Sequence, residues 1–444
     1  MAAPKASKNL LFAASFLVSL LVFFLAYLAS SSLGFGTLSI KRAGILLGVF
    51  VPVIFLISYF LVWRSLVLKP MQNVRGREKG LVLHQLFRTW AAVLFIFLLF
   101  AHLSQPCVLF LGKVTEVGTV SYLSFVCFGA LFILGTVVLI FEIVEFVLKL
   151  TILKGLHWQW FQENWLILRV VVVAVITSVL VAVSLMTAAK GPMIKPLQLP
   201  VRKLPLSMNG LRIVQLSDIH LGPTVGRSQL QQAVDMANDL KPDIVVITGD
   251  LVDSTVENLV EAVSPLQQLK ATHGVFYVTG NHEYYTFDVD HWLSHLKSLG
   301  IVCLPNSFVR IVQPDKPQDW FYLAGTNDIE GKRMYDTEHH FDLDKALDGT
   351  DSDHAIILLA HQPRAAKQAV QSQYDISLIL SGHTHGGQMF PVNIAAYLTN
   401  PYFAGIYQPK EGTYVYVSSG TWYNGPPMRL FSRAEITVIT LLAS

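Results

Sequence analysis

The chain has 444 residues, of which 52% are hydrophobic and only 14% charged, against roughly 25% charged in an ordinary soluble domain. The signs nearly balance at a formal net charge of +3, and no Lys/Arg run is interleaved with aromatics, so nucleic acid is excluded as an expected partner. Three cysteines, Cys107, Cys127 and Cys303, form no disulfide framework, and no Asn-x-Ser/Thr acceptor occurs.

The shortage of charge is concentrated before about residue 190, which divides the chain into an apolar half and an ordinary globular half. Crossing about 30 Å of hydrocarbon takes about 20 apolar residues with every backbone group satisfied inside the helix. Five stretches qualify: Leu10 to Ala29, Ala43 to Trp63, Trp90 to Leu111, Val117 to Phe141 and Leu168 to Ala188. The third is interrupted by His102, Gln105 and Pro106. The first is longer than a typical signal-peptide core and is followed by further spans, so it is predicted to be a retained helix.

The lipid bilayer is thus an expected partner, met by a multi-pass transmembrane domain over residues 1–189. A linker over 190–208, stiffened by Pro192, Pro196, Pro200 and Pro205, is expected to follow, and then a globular domain over 209–444. Cationic loops tend to stay cytoplasmic, and eleven Lys/Arg flank the spans on the N-terminal side against seven on the other. Five crossings then put the globular half on the lumenal or extracellular side. Glu142, Glu145 and His102 are the ionisable residues nearest the apolar core; their closeness to span ends makes snorkelling to the interface the expected arrangement and the bundle mainly an anchor.

From Leu211 onward, short apolar β-rich runs alternate with amphipathic helical patterns, the signature of a layered α/β domain. Strands are predicted at Leu211 to Leu216, Asp243 to Thr248, Val275 to Thr279, Phe321 to Ala324, Ile356 to Ala360, Ile376 to Leu380, Tyr414 to Val417 and Ile436 to Leu441. Helices are predicted at Ser228 to Leu240, Val256 to Leu269, His291 to Leu299 and Ala365 to Gln371. The chemistry lies just past the strands. Asp218 and His220, Asp250, Asn281, His361, and His383 with His385 each come within a few residues of a strand's C-terminal end, the edge where α/β sheets assemble ligand sites.

Seven oxygen and nitrogen donors therefore converge from five loops. A single buried Asp or His is more often a hydrogen-bonded structural group, but five loops in succession make coincidence a poor explanation. A carboxylate can bridge two cations while imidazoles and an amide oxygen fill the remaining positions. A mixed N/O set without thiolate suits Mn, Fe or Zn, with Mn favoured. Two such divalent ions neutralise phosphate oxygens during in-line displacement. Gly249, Gly280, Gly382, Gly386 and Gly387 flank the donors and allow tight turns.

Taken in order, Asp218-Ile219-His220, Gly249-Asp250-Leu251-Val252-Asp253, Gly280-Asn281-His282-Glu283, His361 and Gly382-His383-Thr384-His385 resemble the motif series of the calcineurin-like metallophosphoesterases. The resemblance covers the globular half and says nothing about the membrane half. It implies a four-layer αββα sandwich. It also implies one metal on Asp218, His220 and His385 and a second on Asn281, His361 and His383, with Asp250 bridging. His282 would point at the phosphate, stabilising the transition state and protonating the leaving oxygen, and Asp253 would orient His282.

The leading expectation is hydrolysis of a phosphoric ester in or beside a membrane; the family resemblance favours a phosphodiester, and a lipid-linked or glycolipid-linked one would arrive by lateral diffusion. A non-catalytic metal-binding scaffold is opposed by the complete donor set, and a metal-regulated transporter by the absence of clear mid-span charges. Tyr397, Tyr402, Phe403, Trp422 and Tyr423 come after the last motif and are read either as a rim touching lipid or as core packing.

Overall fold

The computed structural model describes residues 59–74, 80–109, 112–151, 159–335 and 339–444. The predicted span Leu10 to Ala29 lies outside them, as does all of Ala43 to Trp63 except its helical end at 59–63. The chain divides into two compact units: Met1–Leu109 with Cys127–Val179, and Phe110–Val126 with Leu180–Ser444.

Among the described residues of the apolar half, three helices are long: α1 (Gly80–Leu109), α2 (Thr119–Thr151) and α3 (Gln159–Ala189). Within them Val82–Ser104, Thr119–Leu148 and Trp165–Ala189 are long and apolar enough to cross a membrane. These windows contain most of the third, fourth and fifth predicted stretches. In the first unit the expected snorkelling of Glu142 and Glu145 gives way to internal pairing. Arg169, fully buried, reaches Glu145 at 2.8 Å and Glu142 at 3.2 Å and donates to the Ser65 carbonyl at 2.8 Å, while Lys69 meets Glu142 at 2.7 Å. Carboxylates among apolar helices are costly unless a counter-ion accompanies them, and the arginine fork serves both.

The second unit carries two six-stranded sheets. The first has the order β1 (Met193–Val201), β12 (Glu435–Ala443), β2 (Arg212–Leu216), β3 (Ile244–Thr248), β4 (Val275–Val278), β5 (Val302–Cys303). The second runs β10 (Gly405–Lys410), β11 (Thr413–Val417), β9 (Leu378–Ser381), β8 (Ile356–Leu359), β7 (Lys316–Gly325), β6 (Ser307–Gln313). Strands β2 to β5 are mutually parallel, as are β11, β9, β8 and β7, so the C-terminal ends within each set share one edge.

Burial on both faces explains why the central strands read as unbroken apolar runs. Because successive side chains alternate, Ile213 of β2 packs with Val246, Phe276, Leu323, Ile357 and Leu380 of both sheets, whereas its neighbour Val214 turns to the opposite face. There it joins Leu230 and Val234 of α4 (Arg227–Asp239), Leu259 of α5 (Val256–Val263) and Trp292 of α7 (Val289–Ser298). A third cluster sets Leu358, Ile379 and Val415 against Leu347 of α8 (Leu343–Leu347) and Ala366 of α9 (Pro363–Val370). Each buried Val, Leu, Ile or Phe among them contributes about 1.5–3 kcal/mol.

One expectation needs correction. The proline-rich stretch 190–208 is not a free linker: residues 193–201 form β1, paired in parallel with β12 across the whole register from Met193↔Glu435 to Val201↔Ala443. Prolines are tolerated because β1 is an edge strand, where one row of N–H groups needs no ladder partner.

Candidate metal centre

Every donor singled out in the sequence stands on a turn that leaves the C-terminal end of a strand. Asp218 and His220 follow β2, Asp250 follows β3, Asn281 opens the short helix α6 (Asn281–Tyr285) after β4, His361 follows β8, and His383 and His385 follow β9. Five of these seven, Asp218, His220, Asp250, His383 and His385, hold φ between 50° and 72°, the left-handed region that non-glycine residues seldom occupy. Strain of about 1–3 kcal/mol per residue persists only where surrounding structure over-determines it, and such positions cluster at functional sites.

The turns are locked to one another. Asp218 N–H donates to the Gly249 carbonyl at 3.0 Å, His220 N–H to the Asp250 carbonyl at 3.0 Å, and His383 N–H to Asp218 Oδ1 at 2.8 Å. Glycine is required where they cross. A Cβ on Gly280 would collide with Asp250, and one on Gly382 would collide with Ser217 Oγ and Asp218.

The buried and half-buried donors form three overlapping groups: Asp218, His220 and His385; His220, Asp250 and His282; and Asp250, His361 and His383. Nε2 of His220 lies 3.0 Å from Nε2 of His385, and His385 Nε2 lies 3.4 Å from Asp218 Oδ1. Asn281 Oδ1 is 2.8 Å from His383 Nδ1 and 3.2 Å from His361 Nε2, which also sits 3.2 Å from Asp250 Oδ2. The remaining ring nitrogens are committed elsewhere. His361 Nδ1 donates to the Thr248 carbonyl at 2.7 Å and His220 Nδ1 faces Asp253 Oδ1 at 2.9 Å, which leaves each Nε2 for the shared space.

Charge has the same arrangement. Burial, reinforced by the Asp250 carboxylate, raises the Asp218 carboxyl above its usual range. Burial and the neighbouring cation of His361 push His383 down to about 3, and burial with His220 and Arg429 pushes His385 down as well. Two crowded carboxylates beside the imidazoles of His383 and His385, held neutral, are a donor set a divalent cation takes, so these residues fit a metal pair.

Asp253 does more than expected, because its Oδ1 faces His282 Nδ1 at 2.7 Å as well as His220. Burial alone would lower His282, but Asp250, Asp253 and the hydrogen bond to Asp253 raise it to about 9. His282 Nε2 meets the Asn424 side-chain amide at 3.2 Å.

Three supporting residues went unassigned from the sequence. Glu283, fully buried, accepts N–H groups from Gly280, Asp250, Leu251 and Val252 at 2.5, 3.1, 2.7 and 3.3 Å, joining two donor turns. Its signal was present as a Glu three residues after the cap position Gly280. Arg429, also fully buried, donates to the carbonyls of His385 at 2.8 Å, Ser419 at 2.7 Å and Trp422. Asn424 carries no local sign. Of the five aromatics, Trp422 and Tyr423 are core residues packed with β2 and α4, Tyr402 and Phe403 are half-buried, and Tyr397 is exposed.

A family profile described as calcineurin-like phosphoesterase matches residues 211–387. Over 354 residues the chain is 47% identical to the transmembrane protein with metallophosphoesterase domain of Danio rerio, covering 80% of each chain. The Bos taurus protein of the same name is 44% identical over 415 residues, covering 90% of this chain and 89% of that one. An uncharacterized metallophosphoesterase of Helicobacter pylori is 38% identical over 232 residues, 52% of this chain and 60% of the bacterial one. The chain therefore belongs to the calcineurin-like phosphoesterase family, whose members use a dinuclear metal centre, and is a metal-dependent phosphoesterase of the membrane.

Proposed function

We propose that the protein hydrolyses a phosphodiester borne in or beside a membrane, on an αββα domain carried by a bundle of about five spans and facing the lumen or cell exterior. One ion is assigned to Asp218, His220 and His385, the other to Asn281, His361 and His383, with Asp250 shared and Mn favoured. The observation that carries this reading is the chain of three donor groups, the first two sharing His220 and the last two sharing Asp250. When bound, the ions supply Lewis-acid neutralisation of phosphate oxygens and lower the pKa of a nucleophilic water.

The chain's own residues supply the rest. Asp253 fixes the ring planes of His220 and His282 together, so the orientation of a metal ligand and of the proton donor cannot drift apart. His282, held cationic by its carboxylate neighbours, presents Nε2 to the leaving oxygen and gives it a proton. Glu283 keeps the turns of Asp250 and Asn281 at fixed separation.

Purified protein with Mn²⁺ is assayed on bis-p-nitrophenyl phosphate and p-nitrophenyl phosphate, beside Asp250→Asn. Faster turnover of the diester, lost in the variant together with bound metal, supports the proposal. Faster turnover of the monoester would replace diester by monoester, and activity retained by Asp250→Asn would remove the metal assignment.

A further inference from the structure

The unit that holds the metal centre also holds the ends of two helices read above as spans: the start of α2, up to Val126, and the end of α3, from Leu180. The turn 425–431 packs on both. Arg429 N–H donates to the carbonyl of Ser184 at 3.0 Å, and the Gly425 backbone abuts the Phe125 ring, with a built Cβ only 3.3 Å away. Ser184 lies five residues inside the Ala189 end and Phe125 six residues inside the Thr119 end. At 1.5 Å per residue these positions are about 7.5 and 9 Å along each helix from the end that belongs to this unit. Interfacial apolar segments settle about 5–10 Å into the head-group and acyl boundary.

The surface at this depth matches that environment. Phe431 comes two residues after Arg429 and is 76% exposed. Its ring meets Phe390 with centroids 6.5 Å apart, and Phe390 leads into α10 (Val392–Thr399). No residue of α10 is buried, and it presents Ile394, Tyr397 (66% exposed) and Leu398 (75% exposed). From Gly386 to Pro409 there is no Asp, Glu, Lys or Arg. In water such a face is a liability, whereas beside spanning helices it has an apolar solvent. Arg364, which donates to the Thr399 carbonyl at 3.3 Å, sets a cation at the end of α10, where a phosphate head group can meet it.

This surface is continuous with the metal loop. Gly387 packs directly on Asn393 of α10, and the Arg429 side chain holds the His385 carbonyl while its backbone holds Ser184. We propose that α10 and the Phe431 turn are embedded in the lipid surface and make it one wall of the approach to the metals. A substrate whose acyl part stays in the bilayer then presents its phosphoester there without being extracted. The inference rests on the reading of α2 and α3 as spans.

The test uses the unaltered full chain in nanodiscs of phosphatidylcholine whose acyl chain carries a diazirine near the head-group end. After photolysis, lipid adducts are mapped by mass spectrometry. Adducts on peptides containing Ile394 to Leu398 and Phe431, at least tenfold above those around the 85% exposed Leu206, support the proposal, provided α2 and α3 peptides are labelled too. Leu206 precedes β2 and so lies at the end opposite Asp218. Labelled α2 and α3 with Ile394 to Leu398 and Phe431 at the Leu206 level would overturn the inference alone. Unlabelled α2 and α3 would remove the spanning reading and the inference with it. In parallel, Leu398→Asp combined with Phe431→Asp should lower the α10 adducts at least tenfold while turnover of soluble bis-p-nitrophenyl phosphate stays within twofold. Equal loss of both would show the face to be structural and overturn its lipid role.

Discussion

Replacing Glu283 by glutamine tests the idea that one buried carboxylate keeps the metal turns in register. Its oxygens each receive two backbone N–H groups, Gly280 and Asp250 on one and Leu251 and Val252 on the other. Glutamine offers one oxygen and one NH₂, so in either orientation two buried N–H groups lose their acceptor and face a donor. At about 1.5 kcal/mol per charge-assisted bond, the lower end of the measured range, the loss is about 3 kcal/mol. For a unit of this size that corresponds to roughly 6–12 °C in melting temperature.

Opening of the catalytic unit can be followed separately from the bundle through Cys303. It is buried on β5, and burial pushes its thiol up to about 11, so it reacts with maleimide only when the unit opens. Glu283→Gln should shift the Cys303 labelling transition down by that amount and reduce bound Mn²⁺ measured by mass spectrometry. A variant with full metal content and a transition within 2 °C of the parent would refute the reasoning.

Asp253→Asn should lower both bound metal and turnover, by about 10- to 100-fold, because it loosens His220 and His282 together. His282→Ala should instead lower kcat and keep the metal, a contrast that metal analysis beside steady-state kinetics reads directly. Gly382→Ala should expel metal even though it adds one methyl group, since that carbon would meet Ser217 and Asp218; proteolysis and metal content separate this from global unfolding. In the bundle, Arg169→Leu removes the buried cation that Glu142 and Glu145 share and should cost about 3–5 kcal/mol. Lys69→Leu, removing a partly exposed cation, should cost less, as read by denaturation in detergent.

The positions of the donors were legible in the sequence because each comes after a strand buried on both faces, whose apolar run announces itself without any knowledge of partners. The runs at Ile244–Thr248 and Ile356–Leu359 show this, and the glycines before Asp250, Asn281 and His383 completed the pattern. Edge elements left weaker marks. Strand β1 mixes prolines with polar residues and owes its existence to β12, more than two hundred residues away, so local pattern could not distinguish it from a linker. The same holds for β6 and β10, half-exposed strands at the far edge positions of the second sheet.

Burial is likewise a property of the assembled chain. Neighbouring aromatics in one loop part company, Trp422 and Tyr423 into the core and Phe431 outward, because the fold brings α4 over the first pair and leaves the third touching Phe390 but mostly exposed. Local composition thus fixed which groups could bind metal. Long-range packing alone decided that Asp253 serves two histidines, that Arg169 joins two glutamates, and that Arg429 ties the His385 turn to Ser184, since each of these links residues that only the tertiary fold brings within a hydrogen bond.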